Sequence, residues 1–160
     1  MTRFAILLLA ILGLNACCTP DPAHPSKYYG EVERIQAEIN QMMADSAVAW
    51  TANDLDGFME SFYNSPDLVF AIPTGITKGW QPLKERYAKS IAKSDLWFTK
   101  IEITVVTSDT ALVFARFNNQ VKDDKTTYST GLTTLLVKKI DDNWVIVHDH
   151  SSGLPADYPQ

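Results

Sequence analysis

The sequence lacks most features that mark nucleic-acid, nucleotide and zinc-binding proteins. Its 14 basic residues are outnumbered by 19 acidic ones, which gives a net charge of −5 at pH 7, and the basic residues form no cluster. Phosphate-rich partners require concentrated positive charge, so we expect no nucleic-acid partner. Also missing are a glycine-rich phosphate loop, cysteine pairs at zinc spacing and the G-x-S-x-G turn of serine hydrolases. The sequence therefore predicts no cofactor and no metal site.

Cysteine is scarce as well, and its placement points to export. The two cysteines, Cys17 and Cys18, are adjacent, so a disulfide framework is excluded. Before them, Arg3 precedes an apolar run of 11 residues, 4–14, which is too short for a membrane span of about 20 residues. A positive residue followed by such a run is typical of a signal peptide. Residues 1–16 are therefore predicted to be removed.

The residues at the predicted cleavage site resemble a bacterial lipobox. They read Leu-Asn-Ala-Cys over residues 14–17, which implies that Cys17 is acylated and becomes the mature N-terminus. A lipoprotein's several acyl chains anchor it firmly, so we expect the protein on the periplasmic side of the cell envelope, with the membrane as a partner through its lipid. Cleavage by ordinary signal peptidase is the alternative. Either way the mature chain carries 13 basic and 19 acidic residues, a net charge of −6.

The remaining 144 residues suffice for one domain with a core. Three prolines, at positions 20, 22 and 25, predict an extended tether over residues 17–28. The folded domain is expected over residues 29–155, followed by a short tail, 156–160.

Within that domain the hydrophobic spacing changes from helical to alternating. Spacings of three and four residues predict helices over residues 29–51, 55–63 and 79–92. Alternation and turn residues predict strands over 68–72, 76–79, 96–107, 110–121, 126–140 and 144–151. Helices followed by a meander of long strands indicate the α+β class.

Several of these segments resemble the NTF2-like superfamily. Residues 50–58 (WTANDLDGF), residues 70–80 and Tyr87 are similar to its SnoaL-like and DUF4440 members. Residues 144–155 also match W-x-x-V-H-x-H-x-S-G-x-P, the end of the calcium/calmodulin-dependent protein kinase II association (hub) domain. The resemblance implies an NTF2-like cone of three N-terminal helices on a strongly curved antiparallel sheet, with one deep pocket. It also implies a homodimer, or a higher homo-oligomer, formed through the outer face of the sheet.

Some NTF2-like proteins are enzymes, among them ketosteroid isomerases, limonene epoxide hydrolases and polyketide cyclases. When the sequence is aligned with ketosteroid isomerase, the position of the general-base aspartate corresponds to Ile72, and that of the oxyanion-binding tyrosine lies near Ser46. Isoleucine cannot accept a proton, so that activity is disfavoured. The sequence leaves it open whether the chain is an enzyme and favours the view that it is not.

Two histidines, His148 and His150, are the strongest candidates for chemistry. Strand alternation puts both rings on one face with Trp144 and Ile146, and Asp149 on the opposite face. If the face that carries the two histidines lines the pocket, the imidazoles act as an acid/base pair or bind a carboxylate group of the ligand. The alternatives are a structural role in holding the last strand and, on weaker grounds, a metal site.

Other candidate ligand-binding residues are aromatic or polar. An aromatic wall suits an apolar ligand, although for each ring taken singly a place in the core is the favoured interpretation. Arg116 is either a clamp for an acidic ligand or, as its register favours, a residue paired at an interface. These predicted pocket residues are Tyr63, Phe70, Trp80, Tyr87, Trp97, Arg116, Asn118, Thr133, His148 and His150.

Three functions follow as hypotheses. The favoured one is a lipid-anchored module that binds a small, partly apolar or carboxylate-bearing ligand. The second is an envelope enzyme of isomerase, hydrolase or cyclase type that uses His148 or His150 as acid/base. The third is an assembly domain without a ligand.

Overall fold

The structure, a computed structural model, describes residues 25–124 and 126–154. The helices are α1 (Pro25–Thr51), α2 (Leu55–Glu60) and α3 (Trp80–Tyr87), followed by a 3₁₀ turn, Ile91–Lys93. The strands are β1 (Val69–Ile72), β2 (Gly75–Lys78), β3 (Ser94–Thr107), β4 (Thr110–Val121), β5 (Tyr128–Ile140) and β6 (Asn143–Gly153). The predicted signal peptide, lipidated Cys17, most of the tether and the tail lie outside the described residues.

From Ile35 onward, helix α1 buries one face, as its spacing predicts. The helix begins at Pro25, four residues before the predicted start at Tyr29. Proline is compatible with the first helical turn, where its missing N–H would have no partner in any case. The side chains that α1 buries are Ile35, Ile39, Met43, Ser46 and Trp50.

The segment after α2 joins the sheet instead of extending the helix. The Tyr63 N–H donates to the Ile146 carbonyl, and the Ile146 N–H donates to the Ser61 carbonyl. These bonds end α2 at Glu60, three residues earlier than predicted. Helix α3 also ends early, at Tyr87, where the Ser90 hydroxyl donates to the Tyr87 carbonyl. Within the described residues, no helix has the length and apolar character needed to cross a membrane.

The six strands form one sheet in the order β2-β1-β6-β5-β4-β3. Neighbours are antiparallel except β1 and β6, which are parallel. The sheet is therefore mixed and not fully antiparallel as predicted, because β6 returns from β5 to lie beside β1, the first strand of the chain. The α+β class and the cone of helices on a curved sheet are confirmed.

Irregular pairing bends the long strands around the core. Register shifts occur in β3 opposite β4 and in β6 opposite β5. Such bulges increase the local twist and curvature of a strand. The core lies between the concave face of the sheet and the helices.

Candidate functional site

The concave face of the sheet and the helices enclose a cavity of about 550 Å³. That volume lies within the usual range for small-molecule sites. Aromatic side chains from the helices and the sheet dominate the lining: Trp50, Phe58, Phe62, Phe70, Tyr87, Phe98 and Phe117. An apolar body is therefore the chemistry that this cavity accommodates best.

Tyr87 joins the aromatic residues into one cluster. Its ring centroid lies 5.5 Å from Trp50, 5.0 Å from Phe58 and 5.7 Å from Phe70, all in edge-to-face geometry. Burial raises the pKa of the Tyr87 phenol well above its usual value, and the nearby Asp149 carboxylate raises it further. Tyr87 therefore stays neutral at physiological pH.

Asp149 is the polar group that stands out in this apolar lining. Its side chain is buried, and its Oδ1 accepts hydrogen bonds from Thr133 Oγ1 at 3.0 Å and Ser151 Oγ at 2.7 Å. Burial raises the pKa of the Asp149 carboxyl to about 6, although both hydrogen bonds and the neighbouring His150 lower it. A carboxyl with this pKa exchanges its proton near neutral pH.

A bulge in β6 places Asp149 inside the cavity. Ile146 pairs with Val137 of β5 and His148 pairs with Leu136, so Val147 is an extra residue without an opposite partner. The alternation of side chains is inverted at that point. Ile146 faces the cavity before the bulge, and Asp149 faces it afterwards.

The same bulge puts His148 and His150 on the outer face, where both are exposed. The prediction that they line the pocket is wrong, and so is the prediction that Asp149 lies on the outer side. Neither imidazole is placed to act on a molecule in the cavity. The run His-Asp-His-Ser-Ser has no apolar residue to mark its inner face, so the inversion cannot be predicted from the local sequence.

The structure places the other predicted pocket residues in the cavity, in a separate groove and on the outer face of the sheet. Phe70, Tyr87 and Thr133 line the cavity. Tyr63 and Trp80 line a separate groove beside α2 and the β5–β6 turn, and the Trp80 Nε1 donates to the Met59 carbonyl at 3.1 Å.

Trp97, Arg116 and Asn118 lie on the outer face of the sheet. Asn118 Oδ1 accepts hydrogen bonds there from Thr130 Oγ1 at 3.0 Å and from the Tyr128 hydroxyl. The even-numbered residues of β4 occupy that face, whereas Phe117 and the other odd-numbered residues point inward. The predicted arginine clamp is therefore absent from the cavity.

The cavity also includes the two positions that correspond to ketosteroid isomerase residues. Ile72 and Ser46 both line it, and neither carries a group that ionises near neutral pH. Asp149 is the only carboxyl among the described lining residues. No group of three or more His, Cys, Asp or Glu side chains in the described part of the chain could hold a metal ion.

Comparison with solved structures gives the same fold. An NTF2-like protein of unknown function from Shewanella oneidensis is 33% identical, with a TM-score of 0.67 over 73% of this chain and 98% of that one. A proposed scytalone dehydratase from Novosphingobium aromaticivorans is 16% identical, with a TM-score of 0.68 over 82% and 93%. A proposed calcium/calmodulin-dependent protein kinase II association domain from Xanthomonas campestris is also 16% identical, with a TM-score of 0.62 over 74% and 87%.

No curated protein matches the sequence. The family model of the SnoaL-like domain matches residues 39–157, which includes the cavity and every strand of the sheet. The chain therefore belongs to the SnoaL-like family of NTF2-like domains.

Proposed function

We propose that this domain binds a small, mostly apolar molecule in the cavity around Phe70 and Tyr87. The observation that carries the proposal is an aromatic cavity of about 550 Å³ whose lining, in the described part of the chain, includes one carboxyl, Asp149. A carboxylate-bearing ligand is disfavoured because Asp149 would repel it. The one cationic lining residue among those described, Lys93, is exposed.

A cavity-filling variant tests this proposal. Leu96 lines the cavity on β3, so Leu96→Trp should occupy the space and displace the ligand. Val106→Trp is the matched control, since Val106 is 61% exposed on the same strand. Native mass spectrometry of protein purified gently from its host should show extra mass on the wild type and on Val106→Trp but not on Leu96→Trp. Equal ligand mass on both variants would contradict the proposal.

A second candidate function is proton transfer on the bound molecule, with Asp149 as the acid/base group. Its pKa of about 6, raised by burial, favours this role. The expected sign of catalysis is a product of changed structure after incubation of the released ligand with the protein. Turnover should depend on a group with a pKa near 6 and be lost in Asp149→Asn. An unchanged ligand would leave binding as the function.

We also propose that the domain is held at the cell envelope by a lipid on Cys17. The support is the lipobox resemblance of residues 14–17. Cys17→Ser should abolish incorporation of labelled fatty acid and release the protein from membranes, whereas Cys18→Ser should do neither. Fatty-acid labelling of Cys17→Ser would refute this assignment.

The domain is further proposed to be a homodimer. Leu112 and Phe114 on β4 and Leu136 on β5 lie on the outer face with exposed fractions of 42%, 38% and 36%. A second copy would cover these apolar side chains.

A further inference from the structure

Asp149 is a buried carboxyl that has no cationic partner within residues 25–124 and 126–154. No ion pair among the described residues includes it, although several such pairs occur elsewhere on the surface. Its hydrogen bonds from Thr133 and Ser151 both end on Oδ1, so Oδ2 can accept a further bond from a molecule in the cavity. An ionised carboxyl in an apolar cavity is costly unless a cation compensates it.

The charged and titratable groups around Asp149 do not supply that cation. Tyr87, from α3, stays neutral because burial raises its pKa. His150, next to it on β6, lowers the pKa of Asp149 electrostatically, but its ring is exposed on the outer face and cannot compensate the carboxylate inside the cavity. Arg86 lies over the Phe70 ring, 5.4 Å from its centroid, and both Arg86 and Lys93 are exposed. A positive charge at Oδ2 would therefore have to come from the ligand.

The walls beside Asp149 also favour a cation. Phe70 is paired with Asp149 in the register between β1 and β6, and its ring contacts the Tyr87 ring at 5.7 Å. Trp50, Phe58 and Phe62 also pack against the Tyr87 ring. Aromatic faces attract cations, most strongly where water is excluded.

We infer that the cavity selects an organic cation, an ammonium group on an apolar body, with the ammonium bonded to Asp149 and the body packed against Trp50, Phe58, Phe70 and Tyr87. The inference rests on the proposed function and names the chemical class of its ligand. A neutral alcohol of the same shape would gain the apolar contacts and one hydrogen bond. It would not neutralise the carboxylate.

Three probes of matched shape test this selection: 2-phenylethylamine, 2-phenylethanol and 3-phenylpropanoate. Each is titrated at pH 7.5 by calorimetry into full-length protein that carries Cys17→Ser. The amine should bind about tenfold or more tightly than the alcohol, because its hydrogen bond is charge-assisted. Asp149→Asn should reduce the amine affinity to that of the alcohol and leave the alcohol affinity unchanged. His148→Asn, on the outer face of the same strand, should change neither.

A pH series on the protein without the Asp149 substitution gives a test that does not depend on the folding of a variant. Protonation of Asp149, whose pKa is about 6, removes the charge that the amine needs. Amine affinity should therefore fall by up to about tenfold per pH unit below pH 6, whereas alcohol affinity should stay constant. Amine affinity that is constant from pH 5 to 8 would overturn the inference.

The remaining outcomes separate the inference from the proposed function. Equal binding of amine and alcohol, or tightest binding of the propanoate, overturns cation selection and leaves the apolar cavity as a ligand site. Absence of binding by all three probes overturns the inference. If Leu96→Trp also retains the same co-purified mass as wild type, the proposed function fails with it.

Discussion

At the scale of the residue, the burial of Asp149 makes the stability of the protein depend on pH. Burial raises its pKa from 3.8 to about 6, so between these values the folded state binds more protons than the unfolded chain. The free energy of unfolding therefore decreases as pH rises through this window, by about 3 kcal/mol for a change of this size. Below the window the carboxyl is protonated in both states, and no such loss occurs.

Asp149→Asn removes this dependence because the amide does not ionise. The free energy of unfolding of the variant minus that of wild type should therefore be about 3 kcal/mol larger at pH 8 than at pH 4. Urea denaturation at pH 4, 6 and 8 measures the difference, with His148→Asn as the control on the exposed face. A difference between wild type and Asp149→Asn that does not change with pH would show that Asp149 does not carry this cost.

Gly131 in β5 allows Phe117 of β4 to line the cavity. A Cβ at this position would overlap the Phe117 ring and the Ser152 carbonyl oxygen, and the latter belongs to the backbone of the neighbouring strand. Gly131→Ala should therefore lower the free energy of unfolding by about 1–3 kcal/mol, the usual cost of overpacking. Gly153→Ala is the strand control, since nothing lies within 4 Å of its Cβ. Chemical denaturation that ranks the two variants equally would contradict this view of Gly131.

At the scale of the element, Glu38 holds α1 against the end of the sheet. Its Oε2 accepts hydrogen bonds from Trp144 Nε1 at 2.9 Å and Lys139 Nζ at 3.0 Å. Arg34 donates to the other oxygen. The bonds from Trp144 and Lys139, aided by Arg34, lower the pKa of Glu38 from 4.5 to about 2. The stabilisation is present above pH 4.5 and is lost as pH falls towards 2.

Glu38→Gln should cost about 1 kcal/mol at pH 7, a value discounted because solvent screens this partly exposed side chain. The cost should diminish when denaturation is repeated at pH 3. Glu33→Gln on the exposed side of α1 is the control and should have little effect at either pH. A loss that stays constant from pH 7 to pH 3 would assign the effect of Glu38→Gln to packing.

Elements also differ in how far the sequence predicts them. Helix α1 and strand β4 follow the hydrophobic spacing, because each buries a regularly spaced row of apolar side chains. The inner face of β6 does not follow the hydrophobic spacing. Val147 is an extra residue in this strand, and the five residues after it are all polar, so no apolar side chain marks the inner face. A bulge depends on the pairing with β5, which lies outside the local sequence. That one inserted residue is the reason why simple alternation puts Asp149 on the wrong face of the sheet.

At the scale of the whole molecule, the outer face of the sheet is the proposed dimer interface. Leu112, Phe114 and Leu136 are adjacent there, since Leu112 pairs with Leu136 and Phe114 follows two residues along β4. A dimer through this face would not contact the cavity lining, because the residues that line the cavity lie on the other face of the sheet. Assembly and ligand binding are therefore expected to be separable by mutation.

Phe114→Lys tests both halves of this expectation. In a dimer the lysine would lose its contact with water, which should weaken association by about 100-fold or more. Folding should be unchanged because the side chain is exposed in the monomer. Sedimentation equilibrium measures the association, and native mass spectrometry measures the retained ligand. Val106→Lys, with its 61% exposure at the end of β3, is the control for added charge. A monomer that keeps its ligand mass would agree with this arrangement. An intact dimer would place the interface on another surface. Loss of both the dimer and the ligand would mean that the partner copy completes the cavity.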